Sequence, residues 1–186
     1  LRQYVFEGGK LYVDDYAYDW AEQAFPEFIT FENSSGGECA GGTSPPSSIG
    51  TCNHGPSYDP IGTAGDPYLE LWLDHINNGG IINLYEAWDV IHSLNSGIQG
   101  TCNDDSDPHC QNGIYVAPPK VWMYGTWSAH TDHPMTVSWN YYCGKVLYTT
   151  YHTEGNTGQD MLLLQEKIMF YLILEINACT APIVIE

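Results

Sequence analysis

Residues 144–151, Gly-Lys-Val-Leu-Tyr-Thr-Thr-Tyr, constrain the fold more than any other segment. β-Branched and aromatic residues dominate the run, which suits a pleated, largely buried strand. A polar loop over 153–158 follows. Residues 159–176 then place Leu162, Ile168, Met169, Leu172 and Ile176 as a broad apolar stripe at helical spacing. The last apolar run, Ile183-Val184-Ile185, completes a strand–helix–strand unit. Such a unit belongs to α/β proteins, and its crossover helix returns the chain to the end of the sheet where the strand began. Cys143 precedes the strand and Cys179 follows the helix, so the two fall at the same end and are expected to pair.

The same logic organises the rest of the chain. Residues 1–7 read as a helix ended by Gly8-Gly9, with an upstream part of a longer precursor expected before Leu1. Residues 10–15 form a short strand ending in two carboxylates. Residues 16–25 form a helix stopped by Pro26, and 28–31 a second strand. A Gly/Ser/Pro-rich surface loop is expected over 33–65. Asp66-Pro67 is a helix start, with Asp as cap and Pro in the first turn, and the helix should reach Asn77 and bury Leu69, Trp72, Leu73 and Ile76. Residues 81–84, 88–91, 114–116, 121–127 and 135–139 carry further strand signals. The reading is one α/β domain over residues 1–186.

Charge and cysteine content narrow the function classes. Five Lys+Arg against 23 Asp+Glu give a formal net charge of −18 at pH 7. A polyanion repels phosphate backbones and anionic lipids, which argues against nucleic-acid and membrane-surface partners. The longest apolar stretch, 168–176, is interrupted by Glu175 and falls short of the roughly 20 residues needed to span a bilayer. Six cysteines, none in Cys-x-x-Cys spacing, favour disulfides and an oxidising compartment: extracellular, cell surface or periplasmic. Besides Cys143–Cys179, the economical local pairs are Cys39–Cys52 and Cys102–Cys110. Glycans, or other copies of a surface protein, are the partners this composition suits.

Chemistry is expected where strands end. In open α/β sheets ligands gather at the carboxyl ends of strands. One strand delivers Asp14 and Asp15, with Asp19 a helical turn on; the other delivers His152 and Glu154. Together they would suit a hard cation such as Ca²⁺, or acid–base work. The structural alternative has Asp15 capping its helix and Asp14 and His152 held in hydrogen bonds. His130 and His133, in a loop over 128–134, have a spacing that can share a transition metal if a further ligand comes from elsewhere. Asp104, Asp105 and Asp107, with Asn103, form an acidic knot between Cys102 and Cys110 that is a second calcium candidate, without the glycine and distal glutamate of an EF-hand. Asn33-Ser34-Ser35 is a formal glycosylation sequon. No Gly-x-Ser-x-Gly, Gly-x-x-x-x-Gly-Lys or His-Glu-x-x-His motif is present.

Residues 1–15, Leu-Arg-Gln-Tyr-Val-Phe-Glu-Gly-Gly-Lys-Leu-Tyr-Val-Asp-Asp, resemble a helix and strand of ThuA-like proteins, relatives of the class I glutamine amidotransferase fold. His133-Pro-Met-Thr136 and residues 144–152 resemble that group's later loop and strand, and Cys143 before the strand is similar to a secreted bacterial branch. The resemblance covers about a third of the chain at its two ends, and residues 33–127 depart from it. It implies a flavodoxin-like three-layer sandwich with extra β-rich, disulfide-bonded insertions, its N-terminal strands lying upstream of Leu1. The nucleophile elbow of the amidotransferase relatives has no counterpart here, so no catalytic role is carried over. Two functions follow as expectations. The first is a non-catalytic binding or assembly module outside the cell, stabilised by disulfides and by calcium. The second is an extracellular hydrolase or sugar-processing enzyme using Asp14, Asp15, His152 and Glu154.

Overall fold

The computed structural model describes residues 1–31, 57–101, 110–111, 113–153 and 162–175. Within them the chain is a mixed α/β fold built on a curled six-stranded sheet. Helix α1 (Arg2–Phe6) leads through Gly8, at φ +104, into strand β1 (Lys10–Asp14). A 3-10 turn (Asp15–Ala17) and helix α2 (Tyr18–Glu22) follow, then β2 (Ile29–Phe31), β3 (Ile61–Ala64) and helix α3 (Pro67–Asn77). Short strands β4 (Ile82–Asn83), β5 (Ile91–Leu94), β6 (Ile98–Thr101), β7 (Cys110–Gln111) and β8 (Ile114–Val116) precede the long strands β9 (Lys120–Trp127), β10 (His130–Tyr141) and β11 (Gly144–Thr149). Helix α4 (Leu164–Glu175) comes last.

The large sheet has the order β1-β11-β10-β9-β3-β4, beside a β2-β5 ribbon and a small β6-β8-β7 sheet. Among the described residues its one parallel ladder joins β1 to β11, with Lys10 opposite Lys145 and Asp14 opposite Thr149. The other ladders of this sheet are antiparallel. A flavodoxin-like sheet is wound from parallel strands, whereas this sheet mixes a parallel ladder with antiparallel ones. Two-residue links, Ser128-Ala129 and Tyr142-Cys143, can only turn a chain back on itself, so β9, β10 and β11 run antiparallel.

Both faces of the sheet are apolar, as strand alternation requires. Val146 and Tyr148 of β11 join Val5, Val13, Tyr18, Phe25, Phe28 and Trp139 in one core. Leu147, between them, joins Leu69 and Leu73 of α3 and Ile168 and Leu172 of α4 in the other. Phe28 stacks on Trp139 with ring centroids 5.3 Å apart, so the first core is largely aromatic. Its rings bury most of their area; a fully buried Phe stabilises by roughly 1.5–3 kcal/mol relative to an exposed one.

Helix α3 starts as the sequence predicts. The Asp66 side chain accepts from the N–H groups of Tyr68 (3.0 Å) and Leu69 (2.9 Å), and Asn78 ends the helix at φ +51. Burial would raise the Asp66 carboxyl, but the Lys120 ammonium at 2.6 Å and these N–H donors more than offset it and hold it below the usual range. Leu69 and Leu73 are buried, while Trp72 and Ile76 are only partly covered.

Several expected element limits differ; helix α4, for one, begins at Leu164 rather than at 159. Residues 61–64 belong to β3 rather than to the loop expected over 33–65, because Gly62 packs where a Cβ would lie 3.0 Å from Ile82 and Met123; its missing side chain made the strand read as loop. Strand β5 begins at Ile91, and residues 87–90 instead lie across the end of β11 by isolated bridges of Ala87 to Tyr58 and to Tyr151. His130 and His133 lie on β10, not in a loop. The pairings Cys143–Cys179, Cys102–Cys110 and Cys39–Cys52 each involve a residue outside the described residues, as do the sequon at Asn33 and the strand over 183–185. Cys110 itself is buried at the start of β7 and is disulfide-bonded.

Candidate functional site

The parallel β1–β11 ladder brings two carboxyl ends to one edge of the fold. Asp15 follows β1 directly, and His152 lies three residues beyond β11. Their side chains meet: His152 Nε2 is 2.5 Å from Asp15 Oδ2. Asp15 is buried, while the imidazole remains 36% exposed, so the pair links the interior to solvent. Asp15 caps neither the 3-10 turn nor α2, whose N-cap positions are Asp14 and Ala17. Its backbone sits at φ +41 between strand and helix, a left-handed conformation rare for a side-chain-bearing residue. Strain of this kind costs on the order of 1–3 kcal/mol and concentrates at functional sites.

Asp14, one position earlier, turns to the other side of the strand. Its carboxylate accepts from Thr153 Oγ1 at 3.4 Å, and the Tyr12 hydroxyl reaches Thr149 Oγ1 at 3.0 Å and Thr153 Oγ1 at 3.3 Å. Burial pushes the Tyr12 hydroxyl up to about 12, so it stays protonated and serves as a donor. Asp14 therefore braces the chain after β11 rather than joining the Asp15–His152 pair. Glu154, expected beside them, lies outside the described residues.

Two members of this buried cluster, Asp89 and Tyr148, have no place in the sequence expectation. Asp89 is fully buried and hydrogen-bonds Asp15, carboxyl to carboxylate. Burial, then the Asp15 charge, pushes Asp89 up to about 9, and it therefore keeps its proton at neutral pH. Burial also raises Asp15, opposed by the His152 ring. The shared proton is thus held more firmly on Asp89 than on Asp15, whose Oδ2 faces the imidazole. Tyr148, also wholly buried, donates to Asp89 Oδ2 and to the Asp15 carbonyl, each at 3.3 Å. Asp19, a turn after Asp15, is buried nearby and adds to the negative field on Asp89. The signal for Asp89 was present: a lone carboxylate inside the apolar run Ala87-Trp-Asp-Val-Ile91.

Glu86 faces the other side of the imidazole, Oε2 lying 3.4 Å from Nδ1, and is 65% exposed. Its backbone is also left-handed, φ +55, and is held by donation of its N–H to Asp59 Oδ1 at 2.9 Å. Gln165 of α4 ties the segment to the site. Its Oε1 accepts from Tyr85 N–H at 2.8 Å, and its Nε2 donates to the carbonyls of His152 and Tyr85. The Trp88 indole N–H, adjacent to Asp89, is buried with no acceptor among the described residues.

The chain Asp89–Asp15–His152–Glu86 runs from the core to the surface through groups that can each carry a proton. Such an arrangement is built for acid–base work. Among the described residues no three His, Cys, Asp or Glu side chains are grouped to hold a metal ion. The acidic knot of Asp104, Asp105 and Asp107 lies outside those residues. His130 and His133 stand apart on β10, against Trp127. Among the described residues no helix is long and apolar enough to cross a membrane. Comparison with protein-family models, with curated proteins and with solved structures finds no match for this chain.

Proposed function

We propose that the chain is an extracellular hydrolase, with glycans the expected substrate class, and that Asp15 and His152 are its acid–base pair. One observation carries the reading: a buried carboxylate holds one nitrogen of an imidazole whose other nitrogen faces an exposed, displaceable glutamate. In the working cycle water displaces Glu86 at Nδ1. The imidazole accepts a proton from that water as its oxygen attacks the substrate, and returns the proton to the leaving oxygen when the scissile bond breaks. Asp15 fixes the ring and offsets its transient positive charge. Asp89 lends Asp15 a hydrogen bond without adding a second negative charge.

The test is turnover of a panel of chromogenic glycosides and esters by the whole chain. Asp15→Asn and His152→Gln are each expected to lower kcat by 100-fold or more with the fold retained by circular dichroism. Turnover untouched by both changes would overturn the assignment. The ThuA-like resemblance and its flavodoxin-like sandwich belong to this proposal, with the parallel β1–β11 pair the part of the sheet in keeping with them.

A second reading, a surface binding or assembly module stabilised by calcium, draws on the outer faces of α3 and α4. Tyr68, Leu71, Phe170 and Leu174 are 72%, 67%, 57% and 75% exposed. Large apolar side chains exposed together mark contact surfaces. Under that reading Leu174→Glu abolishes self-association in sedimentation velocity, and His152→Gln leaves it intact.

A further inference from the structure

We infer that His130 and His133 form a second site, a two-imidazole seat for a divalent transition metal of the Zn²⁺ class. In a regular strand, residues three apart point to opposite faces. Here the register slips: His130 pairs with Trp127 and His133 with Gly125. The slip is made at Asp132, whose backbone is at φ +54 and whose N–H donates to Thr126 Oγ1 at 3.2 Å. This irregularity turns both rings to the same side, with centroids 4.8 Å apart and planes at 79°. Bulges that re-aim side chains in this way are concentrated beside functional sites.

The separation of the nitrogens points to a metal. His130 Nδ1 and His133 Nε2 are 3.4 Å apart. That is long for an N–H hydrogen bond, which centres near about 2.9–3.0 Å. Two nitrogens bound at roughly 2.0–2.1 Å to one tetrahedral Zn²⁺ lie about 3.3–3.4 Å from each other. The rings are also held before any metal arrives. Trp127 stacks on His130 (4.6 Å, 13°), meets His133 edge-on (5.4 Å, 67°) and rests in turn on Tyr58 (4.3 Å, 19°). Neither ring needs the Asp15–His152 pair. With no third His, Cys, Asp or Glu grouped with them among the described residues, water completes the shell. Imidazole selects borderline transition cations over Ca²⁺ and Mg²⁺.

The experiment titrates the whole chain with ZnCl₂ by calorimetry, with millimolar Ca²⁺ present to occupy surface carboxylates. One-to-one binding is expected for the natural chain and for His152→Gln, and a loss of at least tenfold in affinity for His130→Ala and for His133→Ala. Cu²⁺ should quench indole fluorescence strongly, and Trp127→Phe should remove most of that quenching while Zn²⁺ still binds. Binding unchanged in both histidine variants, or no binding at all, overturns the inference. If a variant unfolds by circular dichroism, long-range ¹H–¹⁵N spectra of the natural chain decide. Zn²⁺-dependent shifts at the His130 and His133 ring nitrogens support the site, and their absence rejects it.

Discussion

The His152 imidazole sits 2.5 Å from the buried carboxylate of Asp15, although the two residues come from opposite ends of the chain. The contact is made by the parallel β1–β11 ladder. A double-mutant cycle of Asp15→Asn and His152→Gln should therefore show coupling of about 1–3 kcal/mol in urea unfolding. The value stays below the roughly 3–5 kcal/mol of a broken, fully buried pair because solvent screens the exposed ring. Additivity within about 0.5 kcal/mol would mean that the two side chains do not communicate.

Asp89 makes stability depend on pH with a definite sign. Its folded carboxyl is pushed up to about 9, while an unfolded Asp ionises near its ordinary value of 3.8. Between those values the folded chain binds a proton that the unfolded chain lacks, so this group lowers stability as pH rises. The slope for one proton is at most about 1.4 kcal/mol per pH unit. Asp89→Asn keeps the shape and removes the titration. It should flatten that fall and raise the melting temperature at pH 8 more than at pH 5. A variant that destabilises equally at both pH values would show that Asp89 is ionised in the folded chain.

Gln165 holds the site from behind, by one accepted and two donated hydrogen bonds. Gln165→Leu leaves the Tyr85 N–H and the His152 carbonyl without this partner, at a cost of about 1–3 kcal/mol. Gln165→Glu keeps an acceptor for Tyr85 but turns an oxygen toward the His152 carbonyl, so it should not rescue. Amide exchange at Tyr85 reads the lost acceptor directly and should quicken in Gln165→Leu, while urea unfolding should show both variants destabilised. Unchanged exchange there would remove Gln165 from any positioning role.

Gly144 marks the other end of β11. A Cβ there would lie 1.8 Å from the Val5 carbonyl oxygen and 2.6 Å from that of Gly9. Both obstacles are backbone, so they yield only if α1 moves. Gly144→Ala should cost at least about 1–3 kcal/mol and loosen the α1–β11 contact. Faster amide exchange over residues 2–6, with β9 and β10 protected as before, is the expected pattern. A chain as stable as the natural one would mean that α1 is displaced without consequence.

Local patterns reveal much of this molecule. The Asp66-Pro67 cap, the strand over 144–149 and the apolar face of α3 are written in neighbouring residues, because capping and strand or helix periodicity act over a turn or two. The convergence of Asp15 and His152 was also legible, since strand ends deliver side chains to one edge when the strands run parallel. Strand β3 was not, because Gly62 and the surrounding turn residues carry a loop's composition.

Asp15, His130, His133 and His152 were thus marked as chemistry-bearing by the sequence alone, from residue type and from position at the ends of runs. Only the tertiary structure decided what each one faces. Burial set Asp89 against Asp15 and kept a proton there, and a slip of register at Asp132 turned two histidines to one side. Neither is a local property. A carboxyl's proton affinity depends on what excludes water from it, and the side on which a strand residue points depends on its pairing with a neighbouring strand.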